Sequence, residues 1–228
     1  THLVTASNLE GMYYKPRIDK EILKEYSEGL ICLSACMAGE ISQLVLEDET
    51  KARQAAIWYK KVFGDDYYIE IQSNGLANQK LVNQKLIKLA RELEIELVAT
   101  NDCHYAEREN VIDQEIVICI QTGKKLSDED RMSIGTDELY IKSPEEMKEE
   151  FKNFPDAIAN TVKIAEKCNF NFEFGHTILP NYNTPNGKDH AEYLKELCKE
   201  GLKKRYDNIT DEIRKRAEYE LSVIIQMG

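Results

Sequence analysis

Asp102 and His104 stand two residues apart at the end of ELVATNDCHY, residues 96–105, a short apolar run that closes on a carboxylate and an imidazole. Such a run reads as a buried strand of a parallel sheet, and the carboxyl ends of those strands are where α/β proteins place their chemistry. Side chains two apart on an extended chain share a face, so this pair suits one common cation. A second reading stays open: Asp102 caps the turn after the strand and His104 is an ordinary rim histidine. Cys36 occupies a similar exit in GLICLSACMAGE, residues 29–40, where an apolar run ends at Ser34 before a Gly-Glu helix start. A thiolate there is a candidate third donor, and zinc tolerates mixed sulfur, nitrogen and oxygen ligands. The plainer alternative is a small buried thiol that packs the strand end. A Cys36 nucleophile with His104 as its base ranks last, because no orienting group or oxyanion donor is identifiable.

Other titratable groups carry weaker signals. Glu70, inside YYIEIQ at residues 67–72, either faces the same cavity or forms a cross-sheet ion pair. His176 and His190 have no partner at ligand spacing and are expected to be exposed. Lys203-Lys204-Arg205 and Arg214-Lys215-Arg216 sit among acids on helices and read as solvated faces. Lys15 and Arg17 differ, because Tyr13 and Tyr14 immediately precede them. Aromatics beside fixed cations suit contacts with phosphate or a nucleic-acid strand, with a packing role equally open.

The elements that must position these groups alternate along the chain. The pattern predicts a helix over 19–28, a strand over 30–33, and a helical stretch over 40–63 broken near Asp48-Glu49-Thr50. Tyr67 to Gln72 is aromatic and β-branched between turn formers, hence a strand. Val82, Leu86, Leu89 and Leu93 recur at helical spacing and lead into the strand that delivers Asp102. That order implies a parallel sheet with right-handed crossovers. Beyond His104 come a helix over 111–122 stopped by Gly123 and a polar connection over 126–138. Ser143-Pro144-Glu145-Glu146 then gives a capping-box helix start, followed by a helix over 156–168. Residues 180–187, with Pro185-Asn186-Gly187, form the best linker candidate; helices over 191–206 and after Thr210 follow.

A formal charge of −11, from 41 acidic and 30 basic side chains, gives a global field that repels a nucleic-acid backbone, so any DNA contact must be local or supplied by other parts. The 6 cysteines contain no CxxC pair and are expected to be reduced and mostly buried. No apolar stretch approaches membrane-spanning length and no signal core is visible, which points to the cytoplasm and away from membranes. Thr1-His2-Leu3-Val4 reads as the middle of a helix and residues 224–228 stop abruptly, as expected of an excised fragment.

Several of these blocks, in order, resemble the bacterial DNA polymerase III alpha subunits, the C-family replicative polymerases. They are LEGMYYKPRID (9–19), residues 29–40, YIEIQ (68–72), ATNDCHY (99–105), ICIQTGK (118–124), LYIKSPEEM (139–147), LPNY (179–182) and LCKEGL (197–202). More narrowly, the likeness is to the later part of the amino-terminal PHP (polymerase and histidinol phosphatase) domain. It implies an α/β fold: a partial PHP-type distorted β/α barrel over 1–175, then over 176–228 a linker and helices leading into the palm. The family's ligand set ends in a Cys and an Asp-x-His, which map onto Cys36, Asp102 and His104. Its early members begin with a His-x-His motif that this chain lacks, so the chain alone is expected to hold zinc poorly. Gln114, before Glu115, stands where many relatives have a histidine.

What the resemblance implies for the intact protein is DNA-directed DNA synthesis with Mg2+ at a palm site absent here. A PHP cluster of Zn2+ or Mn2+ would there activate water against a phosphodiester, a proofreading 3′–5′ exonuclease, or the domain would serve as a structural platform. Implied partners are DNA, deoxynucleoside triphosphates, the sliding clamp and the exonuclease subunit. The competing reading is a stand-alone PHP-type phosphoesterase acting on small phosphate esters.

Overall fold

The computed structural model describes residues 1–177 and 180–227. Leu179, in one of the blocks above, and Gly228 lie outside the described residues. The chain divides into two compact units, Thr1–Phe170 and Asn171–Gly228.

In the first unit, α1 (His2–Leu9) leads into a hairpin of β1 (Met12–Tyr13) and β2 (Lys15–Pro16), then α2 (Lys20–Glu25). Asp19 starts α2 by accepting hydrogen bonds from the Glu21 and Ile22 amides at 3.0 and 2.9 Å. β3 (Cys32–Leu33) precedes α3 (Glu40–Glu47) and α4 (Glu49–Phe63). The expected break falls at Asp48, whose extended backbone ends α3 while its carboxylate accepts from the Thr50 and Lys51 amides to begin α4. β4 (Tyr67–Gln72), α5 (Gln79–Glu92) and β5 (Glu96–Thr100) complete a 3-stranded sheet in the order β3-β4-β5, parallel throughout.

β4 is the central strand and every residue in it is buried. Alternation divides its side chains. Tyr67, Ile69 and Ile71 join Leu97 and Ala99 of β5 in a core with Ile41 and Val45 of α3, Ala52 and Ala56 of α4, and Val82 and Leu86 of α5. Tyr68, Glu70 and Gln72 therefore face the other way, and two of those three are polar.

After β5 the chain forms α6 (Val111–Thr122), α7 (Pro144–Glu150) and α8 (Pro155–Lys167). Gly123 ends α6 in the left-handed conformation at φ 66°, open to glycine without a Cβ penalty. The capping box at α7 forms as expected: the Glu146 amide donates to Ser143 Oγ at 3.2 Å and the Ser143 amide to Glu146 Oε2 at 2.8 Å. Asn160 of α8 donates to the Leu97 carbonyl at 2.8 Å and so covers an edge group of β5.

The second unit contains α9 (His190–Arg205) and α10 (Asp211–Met227), with a 3₁₀ turn at Pro185–Gly187 before them. None of its described residues is buried. The units divide between Phe170 and Asn171, upstream of the proline-rich stretch, where Phe170 and Phe174 are 77% and 89% exposed and add nothing to the core.

One expectation from composition needs correction. All 6 cysteines are free, but Cys119 alone is buried, whereas Cys103 and Cys168 are exposed. Cys103 follows the strand end and Cys168 the last turn of α8, where apolar neighbours in sequence are no longer neighbours in the core.

Hydrogen bonds from Tyr140 and then Ser143 hold the Glu146 carboxyl at about 2, below its ordinary 4.5. A depressed carboxyl contributes stability above its unfolded value and loses it as protons bind the folded state. The start of α7 is therefore expected to loosen as pH falls from 4.5 toward 2. The difference in amide exchange between the parent and Glu146→Gln should vanish across that window.

Candidate metal centre at the strand ends

Because β3, β4 and β5 are parallel, the segments leaving them lie at one end of the sheet. The exit from β3 is a tight turn. The Ser34 amide donates to the Tyr68 carbonyl at 3.0 Å, Ala35 takes φ 65°, and the Gly39 amide closes on the Cys36 carbonyl at 2.9 Å. A Cβ on Gly39 would lie 2.5 Å from the Ser34 carbonyl oxygen, so only glycine allows this closure. Cys36 sits half-buried within that turn.

At the exit from β5, His104 Nε2 lies 3.6 Å from Asp102 Oδ1, with both side chains partly exposed. The pair meets by a route other than the extended chain expected. β5 ends at Thr100, and Asp102 turns into the left-handed region at φ 51°. The Asp102 carboxylate contacts the imidazole itself.

Polar side chains tie the strand ends together. The Glu70 amide donates to Ser34 Oγ at 2.9 Å, Thr100 Oγ1 donates to Glu70 Oε1 at 2.8 Å, and Gln72 Nε2 donates to Thr100 Oγ1 at 3.2 Å. Glu70 forms no cross-sheet ion pair among the described residues; its carboxylate accepts from a neighbouring strand's hydroxyl instead. Its charge, after burial as the larger cause, pushes the Cys32 thiol up to about 11. Cys32 is accordingly a protonated, inert thiol at neutral pH.

A clamp fixes the turn that carries Asp102 and His104. Asn101 Nδ2 donates to the carbonyls of Glu138 and Tyr140 at 2.8 and 2.9 Å, and the His104 amide donates to the Leu139 carbonyl at 2.8 Å. Arg108 lies 4.8 Å from the Tyr140 ring centre and donates to its hydroxyl at 3.1 Å. Lys142, with 1% of its side chain exposed, donates to the Ser73 carbonyl at 2.7 Å and pairs with Glu138 and Glu150 at 3.1 and 3.3 Å. Glu150 also accepts from the Ser73 hydroxyl. The polar connection is anchored by Glu115, which accepts from Arg131, Ser133 and the Ile134 amide. Burial opposes ionisation of Glu115, yet those bonds hold its carboxyl below the usual range.

Sequence reasoning missed Asn101, Arg108 and Lys142. For Lys142 polarity is misleading: Ile141 is 65% exposed while its lysine neighbour is buried. Asn101 had a usable signal, an amide directly after a buried strand, which is the residue type that binds a passing backbone.

Asp102 and His104 are brought together; Cys36 is not added to them. No group of three or more His, Cys, Asp or Glu able to hold a metal occurs among the described residues. The geometry explains this. Cys36 follows β3 and the pair follows β5, strands that flank β4 in the sheet. These residues alone do not fit a metal ion, and no chemical step is derived through one. His176 and His190 are exposed, as are both basic clusters on α9 and α10. Lys15 and Arg17 lie elsewhere, on the β1-β2 hairpin, with the Arg17 guanidinium 5.0 Å from the Tyr13 ring centre.

An α/β unit with its polar residues gathered at the ends of parallel strands is the class defined here, and residues 1–74 match the PHP domain family. Along 99% of its length the chain is homologous to DNA polymerase III alpha subunits. It is 52% identical over 229 residues to the DNA polymerase III subunit alpha of Borreliella burgdorferi and 44% identical over 230 residues to that of Treponema pallidum. In each case it covers 99% of this chain and 20% of the relative. The subunit of Thermus aquaticus is 41% identical over 217 residues, 92% of this chain and 18% of the relative. The chain spans about a fifth of the length of the curated relatives it matches.

Lys142→Ala removes a buried donor to the Ser73 carbonyl and leaves two carboxylates that solvent still reaches, and is expected to cost about 1–3 kcal/mol, read from urea unfolding. The purified chain, loaded with Zn2+ and desalted, is expected to retain well under one equivalent by elemental analysis. Stoichiometric tight retention would show that Cys36 converges with Asp102 and His104 in solution.

Proposed function

We propose that this chain is part of a bacterial replicative DNA polymerase alpha subunit: the carboxyl portion of a PHP domain to about residue 175, then a linker and helices leading to the palm. The observation that carries the reading is identity of 52% to such a subunit across 99% of the chain. The intact protein then performs DNA-directed DNA synthesis in the cytoplasm, with Mg2+ at a palm site, on DNA and deoxynucleoside triphosphates. The sliding clamp and an exonuclease subunit are its partners.

Within that protein Cys36, Asp102 and His104 are the later donors of a PHP cluster for Zn2+ or Mn2+, completed by donors from outside this chain. Support comes from their shared end of the sheet and from the clamp that holds the Asp102-His104 turn. Such a cluster serves phosphodiester hydrolysis, a 3′–5′ exonuclease; a platform role is the alternative. Lys15 and Arg17 contact nucleic-acid phosphates.

The test uses the full-length protein. It is expected to extend a primed template and to shorten single-stranded DNA from its 3′ end. His104→Ala should lower both bound PHP metal and degradation by at least the roughly 10- to 100-fold that loss of even an outer-shell partner costs, with primer extension retained. Unchanged degradation would remove the catalytic role and leave the platform.

A further inference from the structure

We infer that the hairpin spanning residues 12–17 is a stacking platform for an unpaired nucleic-acid strand, with Tyr14 receiving a base, Tyr13 supporting that ring, and Lys15 and Arg17 holding the flanking phosphates. The inference rests on the proposed phosphate contact of those two cations and adds to it the rings and the strandedness of the ligand.

The hairpin is built to be rigid. At the end of α1 the Glu10 and Gly11 amides both donate to the Ala6 carbonyl, at 2.9 and 3.1 Å, and the Arg17 amide closes on the Gly11 carbonyl at 3.1 Å. A Cβ on Gly11 would fall 1.9 Å from the Arg17 carbonyl oxygen, so glycine is required for that closure. Met12 pairs with Pro16 and Tyr13 with Lys15, which leaves Tyr14 alone at the tip with φ 59°. A left-handed backbone favours glycine, yet a large ring stands here.

The side chains make a surface of one chemical kind. Tyr14 is 89% exposed, which leaves its ring open to a ligand, and it meets the Tyr13 ring in a T-shaped contact at 4.7 Å and 78°. Arg17 lies over the Tyr13 ring. Neither Lys15 nor Arg17 has an ion-pair partner among the described residues, whereas nearby Lys20 is bound to Glu40 at 2.6 Å. Two cations without ion-pair partners beside the open Tyr14 ring, in a chain of formal charge −11, are suited to a polyanion that also offers flat apolar faces. A duplex covers its base faces with neighbouring pairs and would engage only the cations. An unpaired strand offers both phosphates and faces, and the similarity to DNA polymerase subunits makes DNA the strand to test.

The experiment is anisotropy titration of labelled oligothymidylate, and of a duplex of equal length, with the full chain at low salt. The single strand is expected to bind more tightly. Replacing both rings, Tyr13→Leu with Tyr14→Leu, should weaken it by about tenfold or more, within the range measured for base–aromatic stacking. Lys15→Gln with Arg17→Gln should flatten the slope of log affinity against log salt by about 1.4, the release expected from two phosphates on a single strand. Tyr14→Gly should weaken binding while leaving the melting temperature unchanged or higher, because it relieves the tip backbone. If the cation variants weaken binding but the ring variants do not, or if duplex and single strand bind equally, stacking is overturned and the phosphate contact stands. If neither pair of variants matters, both fall. A lower melting temperature for Tyr14→Gly would make that ring a packing group and also overturn the proposal.

Discussion

The Lys142 ammonium is the interaction on which the strand-end architecture depends. It is shut off from solvent, bound to the carbonyl of the residue after β4 and to carboxylates from the polar connection and α7. A buried charge left without partners is far costlier than the net value of the pair, so these three segments are obliged to stay together. Glu138, one of its partners, belongs to the same short stretch whose carbonyls receive Asn101. The position of Asp102 and His104 therefore follows from a lysine with no direct contact to either.

Parallel pairing explains both what the strand ends collect and what they keep apart. It puts the exits of β3, β4 and β5 at one end of the sheet, where Ser34, Glu70, Thr100 and Gln72 satisfy one another through hydrogen bonds. It also puts β4 between the strands that lead to Cys36 and to the Asp102-His104 turn. Donor types suited to zinc thus share an edge without forming a three-residue centre among the described residues.

Much of the fold was legible. Asp48 as the hinge between two helices, Gly123 as a stop, and Ser143 with Glu146 as a capping box are decided by groups within four residues of one another, and each formed where the pattern put it. The strands of residues 67–72 and the apolar spacing of Val82, Leu86 and Leu89 were equally readable, because burial periodicity is written along the chain. The candidate site was legible by residue type and only in part by geometry. Asp102 and His104 do meet, but through a left-handed residue that extended-chain spacing does not foresee.

The sequence by itself therefore determined the order of helices and strands from residue 19 onward, though not the hairpin of β1 and β2, together with several caps and stops and the residue types delivered to the strand ends. All of these rest on short-range hydrogen bonds and periodic burial. Only the tertiary structure decided that Ile141 faces outward while Lys142 is buried, that Asn101 holds two carbonyls from a segment 37 and 39 residues away, and that Cys36 stays apart from the pair. Those outcomes depend on which distant backbone groups are left unsatisfied once the sheet has formed. Local polarity carries no record of that.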